Sequence, residues 1–147
     1  MTSMGRTKSA DVDFPVRTII TIRTDAREQL VDITRDVSAI VSQQGKKHRL
    51  CFLYTVGATA AIMVQENWDP NIQIDVLACL KTLVPQGRWI HDTIDGNGDA
   101  HIKAGIIGPS EAIPIEDGKL LLGTWQNIFF CEFDGPRDDR RIIVTLI

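Results

Sequence analysis

The sequence predicts an α+β fold: a mixed, mostly antiparallel sheet with two main helices. Three observations carry that expectation. Runs rich in β-branched and aromatic residues recur along the chain, among them VRTIITIRT at 16–24 and NIFFCEF within 124–135. Most of these runs are joined by turns too short for a parallel crossover. Two other segments space their apolar residues three and four apart, as amphipathic helices do. The order along the chain is β-β-α-β-β-α-(loop or helix)-β-β-β-β.

Residues 1–13 read as a flexible polar tail, and 14–147 as one domain. After the strand at 16–24, TDAR turns the chain, and EQLVDI (28–33) can return as its partner strand. A helix is expected at about 35–44, with Val37, Ile40 and Val41 on one face. Thr34 or Asp32 can cap its start, and Gly45 can close it. RLCFLYTV (49–56) and AAIMVQE (60–66) have strand composition. Asp69 before Pro70 is a helix start, an N-cap followed by proline at the first helical position. The helix carries Ile72, Val76, Leu77, Leu80, Leu83 and Val84 on one face and stops at Pro85 and Gly87. EAIPIEDGKLLLG reads as strand–turn–strand with the turn at Asp117-Gly118. TWQNIFFCEFDG (124–135) and RRIIVTLI (140–147) complete the strands, with DGPRDD as a turn between them.

A chain of 147 residues, 44% of them apolar, fits one hydrophobic core. The net charge of −3, with acid and base interspersed, argues against a nucleic-acid partner. Lys46, Lys47, His48 and Arg49, and Arg137 with Arg140 and Arg141, read as solvated faces. The cysteines, Cys51, Cys79 and Cys131, are odd in number and form no CxxC pair, which predicts reduced thiols and a cytoplasmic setting. The N-terminus lacks an apolar signal region, and no run approaches the roughly 20 apolar residues of a membrane span, so no membrane partner is expected.

The chemistry concentrates in TIDGNGDAHIKAG, residues 93–105. As a calcium loop starting at Asp95 it fails, because Ala100 and Ile106 stand where glycine and glutamate are required. As a phosphate cradle it offers Gly96, Asn97 and Gly98 for close backbone approach. Asp99 can cap a short helix beginning near Ala100, and Lys103 lies in its first turn. The competing reading is a tight turn with an N-cap. His91 and His101 bracket the loop as candidate metal ligands, although two histidines ten residues apart are no motif by themselves. Glu66, at a strand end, is the best unpaired carboxylate for acid–base work, or simply a polar strand terminus. Trp125 can stack on a ring or fill the core, the commoner fate of a tryptophan in a β run. No G-x-S-x-G elbow occurs, and Cys51 reads as buried.

The strings TAAIMVQENWDP (59–70), WIHDTIDGNGDAHIKAGIIGPS (89–110) and IPIEDGKLLLGTWQNIFFCEFDGPR (113–137) resemble the YjbQ family, small proteins described as secondary thiamine-phosphate synthases. The resemblance runs from about residue 16 to the end. It implies a sheet sandwich, a homotrimer, and an inter-subunit pocket for a small phosphorylated molecule. It also implies a divalent metal, zinc or magnesium, held by histidines from three places. Two correspond to His91 and His101. The third does not carry over: where the family reads H-T-T-A-A, this chain has Gly57-Ala58-Thr59-Ala60-Ala61. Gly98 also replaces a usual alanine. The implied reaction joins a pyrimidine pyrophosphate to a thiazole phosphate and releases pyrophosphate, a weak thiamine-phosphate synthase activity. Lys103, Arg137 and the Gly96–Gly98 backbone would stabilise the leaving group, with Glu66, Asp99 and His101 as catalytic groups. The alternative is a non-catalytic trimeric binding or structural protein whose metal site has degenerated at Gly57.

Overall fold

In the computed structural model residues 15–147 are described, and the predicted tail over 1–13 lies outside them. The strands are β1 (Val16–Thr24), β2 (Gln29–Asp32), β3 (Leu50–Val56), β4 (Ala60–Glu66), β5 (Ser110–Glu116), β6 (Lys119–Leu120), β7 (Gln126–Glu132) and β8 (Arg137–Leu146). The helices are α1 (Thr34–Gln44), α2 (Asn71–Leu83) and α3 (Gly98–Ile107). The strands form a five-stranded sheet, β1-β8-β3-β5-β6, and a three-stranded sheet, β2-β7-β4. Every ladder among the described residues is antiparallel.

The three-stranded sheet is buried on both faces, and strand alternation divides its side chains between two cores. Ile62, Ile128 and Phe130 face the five-stranded sheet, where they meet Leu53, Ile142, Val144 and the α1 residues Val37 and Val41. Ala61, Phe129 and Cys131 face the other way, against Leu80 of α2 and Ala100 and Ala104 of α3. That double burial is why FFC reads as an uninterrupted apolar run. The layers are therefore sheet, sheet and helices, with α2 and α3 on the outer face of the small sheet. Burial lifts the thiol pKa of Cys51 to about 11 and of Cys131 to about 12, so neither is a reactive thiolate. Cys79 on α2 is exposed. No helix among the described residues is long and apolar enough to cross a membrane.

Several local expectations are corrected. β2 does not pair with β1: it joins β7 in the other sheet, while β1 pairs with β8. The turn after Asp134 is shorter than expected, because β8 begins at Arg137. Leu83 is exposed, off the α2 stripe that buries Leu80 and Val84. His48 is buried, not solvated, although Lys46, Lys47 and Arg49 around it are exposed. Asp69 Oδ1 accepts the Asn71 N–H at 2.9 Å and so performs its expected capping role.

Asp32 ties the end of β2 to three other segments. One oxygen accepts the Thr34 N–H (2.9 Å) and hydroxyl (2.6 Å); the other accepts the amides of Asn67 (2.8 Å) and Asn127 (2.7 Å). Burial alone would raise its carboxyl pKa, but these bonds outweigh it and hold the group below 3.8. A folded-state value below the unfolded one stabilises the fold above the ordinary carboxylate range, and that contribution is lost as pH falls through the folded value. The urea midpoint is therefore expected to fall as pH drops below 3.8, more steeply in wild type than in Asp32→Asn. Superimposable acid limbs would remove Asp32 from this role.

Candidate functional site

Helix α3 organises the site. At 100° per residue, Asp99 and His101 point about 160° apart around its axis. The sequence places them on one wall, whereas the fold sends them to opposite sides. His101, Ala104 and Gly105 line a cleft of about 390 Å³ with Tyr54, Gly57, Ala58, Ala60 and Pro109. Its far wall is the β3–β4 connection, a part of the chain outside the 93–105 stretch.

His101 is fixed by that connection: its Nδ1 lies 3.2 Å from the Ala58 carbonyl. A carbonyl can only accept, so Nδ1 carries the proton and Nε2 of the neutral ring keeps its lone pair. The His91 ring stands edge-on to it, centroids 4.9 Å apart and planes at 89°. His91 Nε2 is 3.9 Å from Asp95 Oδ2. Ile90, next to His91, is 93% exposed, Ile94 is 76% exposed, and Tyr54 and Val56 near Gly57 are half-exposed.

On the other side of α3, Asp99 and Lys103 are both 1% exposed. Lys103 Nζ donates to Asp99 Oδ2 at 2.9 Å and also to Glu28; Arg27 donates to Asp99 Oδ1 at 2.9 Å. Asp99 is thus an internal ion-pair partner, not a cap. The helix start is served by Asp92, whose Oδ1 accepts the Gly98 N–H at 2.8 Å and whose Oδ2 accepts the Trp89 N–H at 2.9 Å. Those two bonds hold the Asp92 carboxyl below the usual range. A Cβ at Gly98 would meet Trp89 Cβ at 2.7 Å, so glycine lets this cap close on the helix. A protein carboxylate therefore already occupies the place the phosphate-cradle reading gives to an anion.

Asn97 donates to Asp134 Oδ2 at 3.0 Å, and Arg137 donates to the same oxygen at 2.9 Å. Burial would raise the Asp134 carboxyl, but these two partners lower it below the ordinary value. The Asn97 Oδ1 is buried without a partner among the described residues. Gly96 sits in the exposed turn before them. Glu66 lies at the opposite end of β4 from the cleft, about 20 Å away along a seven-residue strand. There its Oε1 accepts the Asp69 N–H at 2.8 Å. Trp125 is beside it and is half-exposed, not core, packed edge-on against Trp68 with ring centres 5.2 Å apart. The chain thus brings His91, His101 and Gly57 together and keeps Glu66 and Trp125 apart from them.

A family model described as UPF0047 protein YjbQ-like matches residues 18–147. The chain belongs to the YjbQ-like UPF0047 family. A UPF0047 protein of Methanocaldococcus jannaschii is 46% identical over 116 residues, 79% of this chain and 83% of that one. The UPF0047 protein YjbQ of Salmonella typhimurium is 33% identical over 118 residues, covering 78% and 83%. Among solved structures, a YbjQ-like protein of unknown function from Sulfolobus solfataricus matches with a TM-score of 0.87 at 37% identity, over 90% of this chain and 96% of that one. A yjbq/upf0047 family protein of Clostridium acetobutylicum gives 0.83 at 40% identity, over 88% and 99%. The α+β architecture is common to the YjbQ-like structures.

The metal implied by the YjbQ resemblance fits this donor set only in part. Two imidazoles sharing a tetrahedral ion have ring centres roughly 5 Å apart, close to the spacing of His91 and His101. Among the described residues, however, no group of three His, Cys, Asp or Glu side chains could hold an ion. Gly57, where the resemblance implies a histidine, has φ +142, a conformation that favours glycine. Restoring a side chain there is strained by about 1–3 kcal/mol. Among the described residues the donor set is incomplete.

The sequence reading missed Arg140. It is 8% exposed, not part of a solvated basic face. Its Nε and Nη2 grip Glu132 at 2.8 and 2.5 Å, and Nη2 also donates to Thr59 Oγ1 at 2.9 Å. Glu132, wholly buried, further accepts the Thr24 hydroxyl (3.0 Å) and the Asp134 N–H (2.9 Å). The signal was available in the alternation of β8, where Arg140 shares the inward parity of Ile142, Val144 and Leu146.

Proposed function

We propose that this YjbQ-like protein is a homotrimer whose clefts bind a small phosphorylated molecule beside His101 and His91. The observation that carries this reading is His101, held through Nδ1 on the Ala58 carbonyl and lining a cleft bounded by glycine and alanine. Trimerisation would answer two features: the exposed apolar rim of the cleft, and the separation of Glu66 and Trp125 from the histidines within one chain. A neighbouring copy is the means of bringing such distant groups to one pocket. The reaction class implied by the resemblance is thiamine-phosphate synthase-type transfer, in which a C–N bond forms to the thiazole and the C–O bond to pyrophosphate breaks. His101 would then act as the acid–base group at the reacting centre. A second reading, a non-catalytic binding protein, is favoured by the engagement of Lys103 and Asp99 in internal ion pairs.

Sedimentation is expected to give about three times the 16.4 kDa chain mass. Thiamine phosphate formation that disappears in His101→Ala, with the trimer intact, establishes the transferase. Phosphate binding without turnover under any divalent ion establishes the binding protein. Elemental analysis of purified protein is expected to give well under one tightly held zinc per chain, because two neutral imidazoles hold a divalent ion more weakly than three. A full zinc complement in wild type would overturn the vacant-ligand reading.

A further inference from the structure

Gly57 reads at first as a loss, the place where a family ligand has gone. The geometry around it points to a gain. An ideal Cβ built on Gly57 meets one heavy atom within 4 Å, Arg140 Nη1 at 3.0 Å. The space left by the absent side chain is therefore bounded by the outer amino group of a guanidinium. That amino group takes no part in the bonds to Glu132 and Thr59, which engage Nε and Nη2. Gly57 itself is exposed and lines the cleft with His101. His101 in turn is held on Ala58, the next residue along.

We propose that Gly57 is a window onto Arg140, and that the Gly57 end of the cleft is an anion subsite for the phosphate of the bound molecule. The proposal rests on the phosphorylated-ligand reading above and assigns the group that grips the phosphate. Glu132 and Thr59 hold the guanidinium through Nε and Nη2, so Nη1, which takes no part in those bonds among the described residues, is preorganised. An oxyanion placed over Gly57 accepts from Nη1. His101, held on the adjoining Ala58, lines the same cleft. Lys103, by contrast, is turned away on the other side of α3.

The test is titration of the full-length protein with inorganic phosphate, followed by calorimetry and by the guanidinium nitrogen resonances of Arg140. Wild type is expected to bind and to shift those resonances. Gly57→Ala places a methyl group in the window, 3.0 Å from Nη1 and at the backbone strain given above, so its fold is checked by circular dichroism. It is expected to weaken phosphate about tenfold or more, the effect of one charge-assisted bond. The paired change Arg140→Gln with Glu132→Gln removes both buried charges together, so the core keeps its neutrality. It should lose binding to a similar degree, with circular dichroism confirming the fold. Unchanged affinity in either folded variant overturns the Arg140 assignment while the cleft reading stands. Absence of phosphate binding in wild type overturns both.

Discussion

Glu132→Ala is expected to lower stability by about 3–5 kcal/mol, the cost of leaving a buried charge without its partner. The side chain is fully buried and accepts from Arg140 twice, from the Thr24 hydroxyl and from the Asp134 N–H. Its removal strands a guanidinium with 8% exposure, one bond to Thr59 and no counter-ion in contact among the described residues. Urea unfolding should show a lower midpoint at unchanged slope, and the melting temperature should fall by roughly 10 °C for a chain of this size. The paired Arg140→Gln, Glu132→Gln variant is expected to recover much of the loss, because neither charge is then buried alone. A loss under 1 kcal/mol in Glu132→Ala would mean that water reaches the guanidinium and that Glu132 does not hold Arg140 in place.

The architecture was legible where residues alternate or repeat on one period. The strand runs and the first two helices follow from composition, and Asp69-Pro70 marked its helix through a local hydrogen bond. Pairing was not legible, since β1 and β2 are joined by a short turn yet belong to different sheets. The choice between sheets depends on which faces meet in three dimensions, and a single turn carries no trace of it. At the site, the His91 and His101 rings lie edge-on, 4.9 Å apart. Asp99 and Lys103 did not join them, and here the sequence held an unused signal. Lys103 stands one turn from both Asp99 and Ile107, with Ala100 and Ala104 beside it, so it lies on the buried stripe of α3. A lysine in an apolar stripe, with an aspartate four residues earlier, is an internal ion pair before it is a ligand. Arg140 and Glu132 obey the same logic on strands. Each occupies an inward position, and opposite charges on facing inward positions imply one another.

Lys103→Met separates the two roles available to that lysine. As a phosphate ligand, its loss would weaken anion binding and leave the fold nearly intact. As an internal ion pair, its loss would do the reverse. Methionine keeps the length and apolar stem of lysine, so the change removes the charge with little change of packing. Asp99 would keep Arg27 on one oxygen and lose its partner on the other, and Glu28 would lose its buried cation. The expected cost is about 3 kcal/mol, at the low end for a broken buried pair because Arg27 remains. Phosphate affinity of the folded fraction should match wild type, since His101 and the Gly57 window lie on the opposite side of α3. A stable Lys103→Met protein with weakened phosphate binding would move the anion site across the helix, to the polar crevice lined by Arg27, Lys81 and Lys103. Measuring stability and affinity on the same preparation decides which face of α3 carries the function.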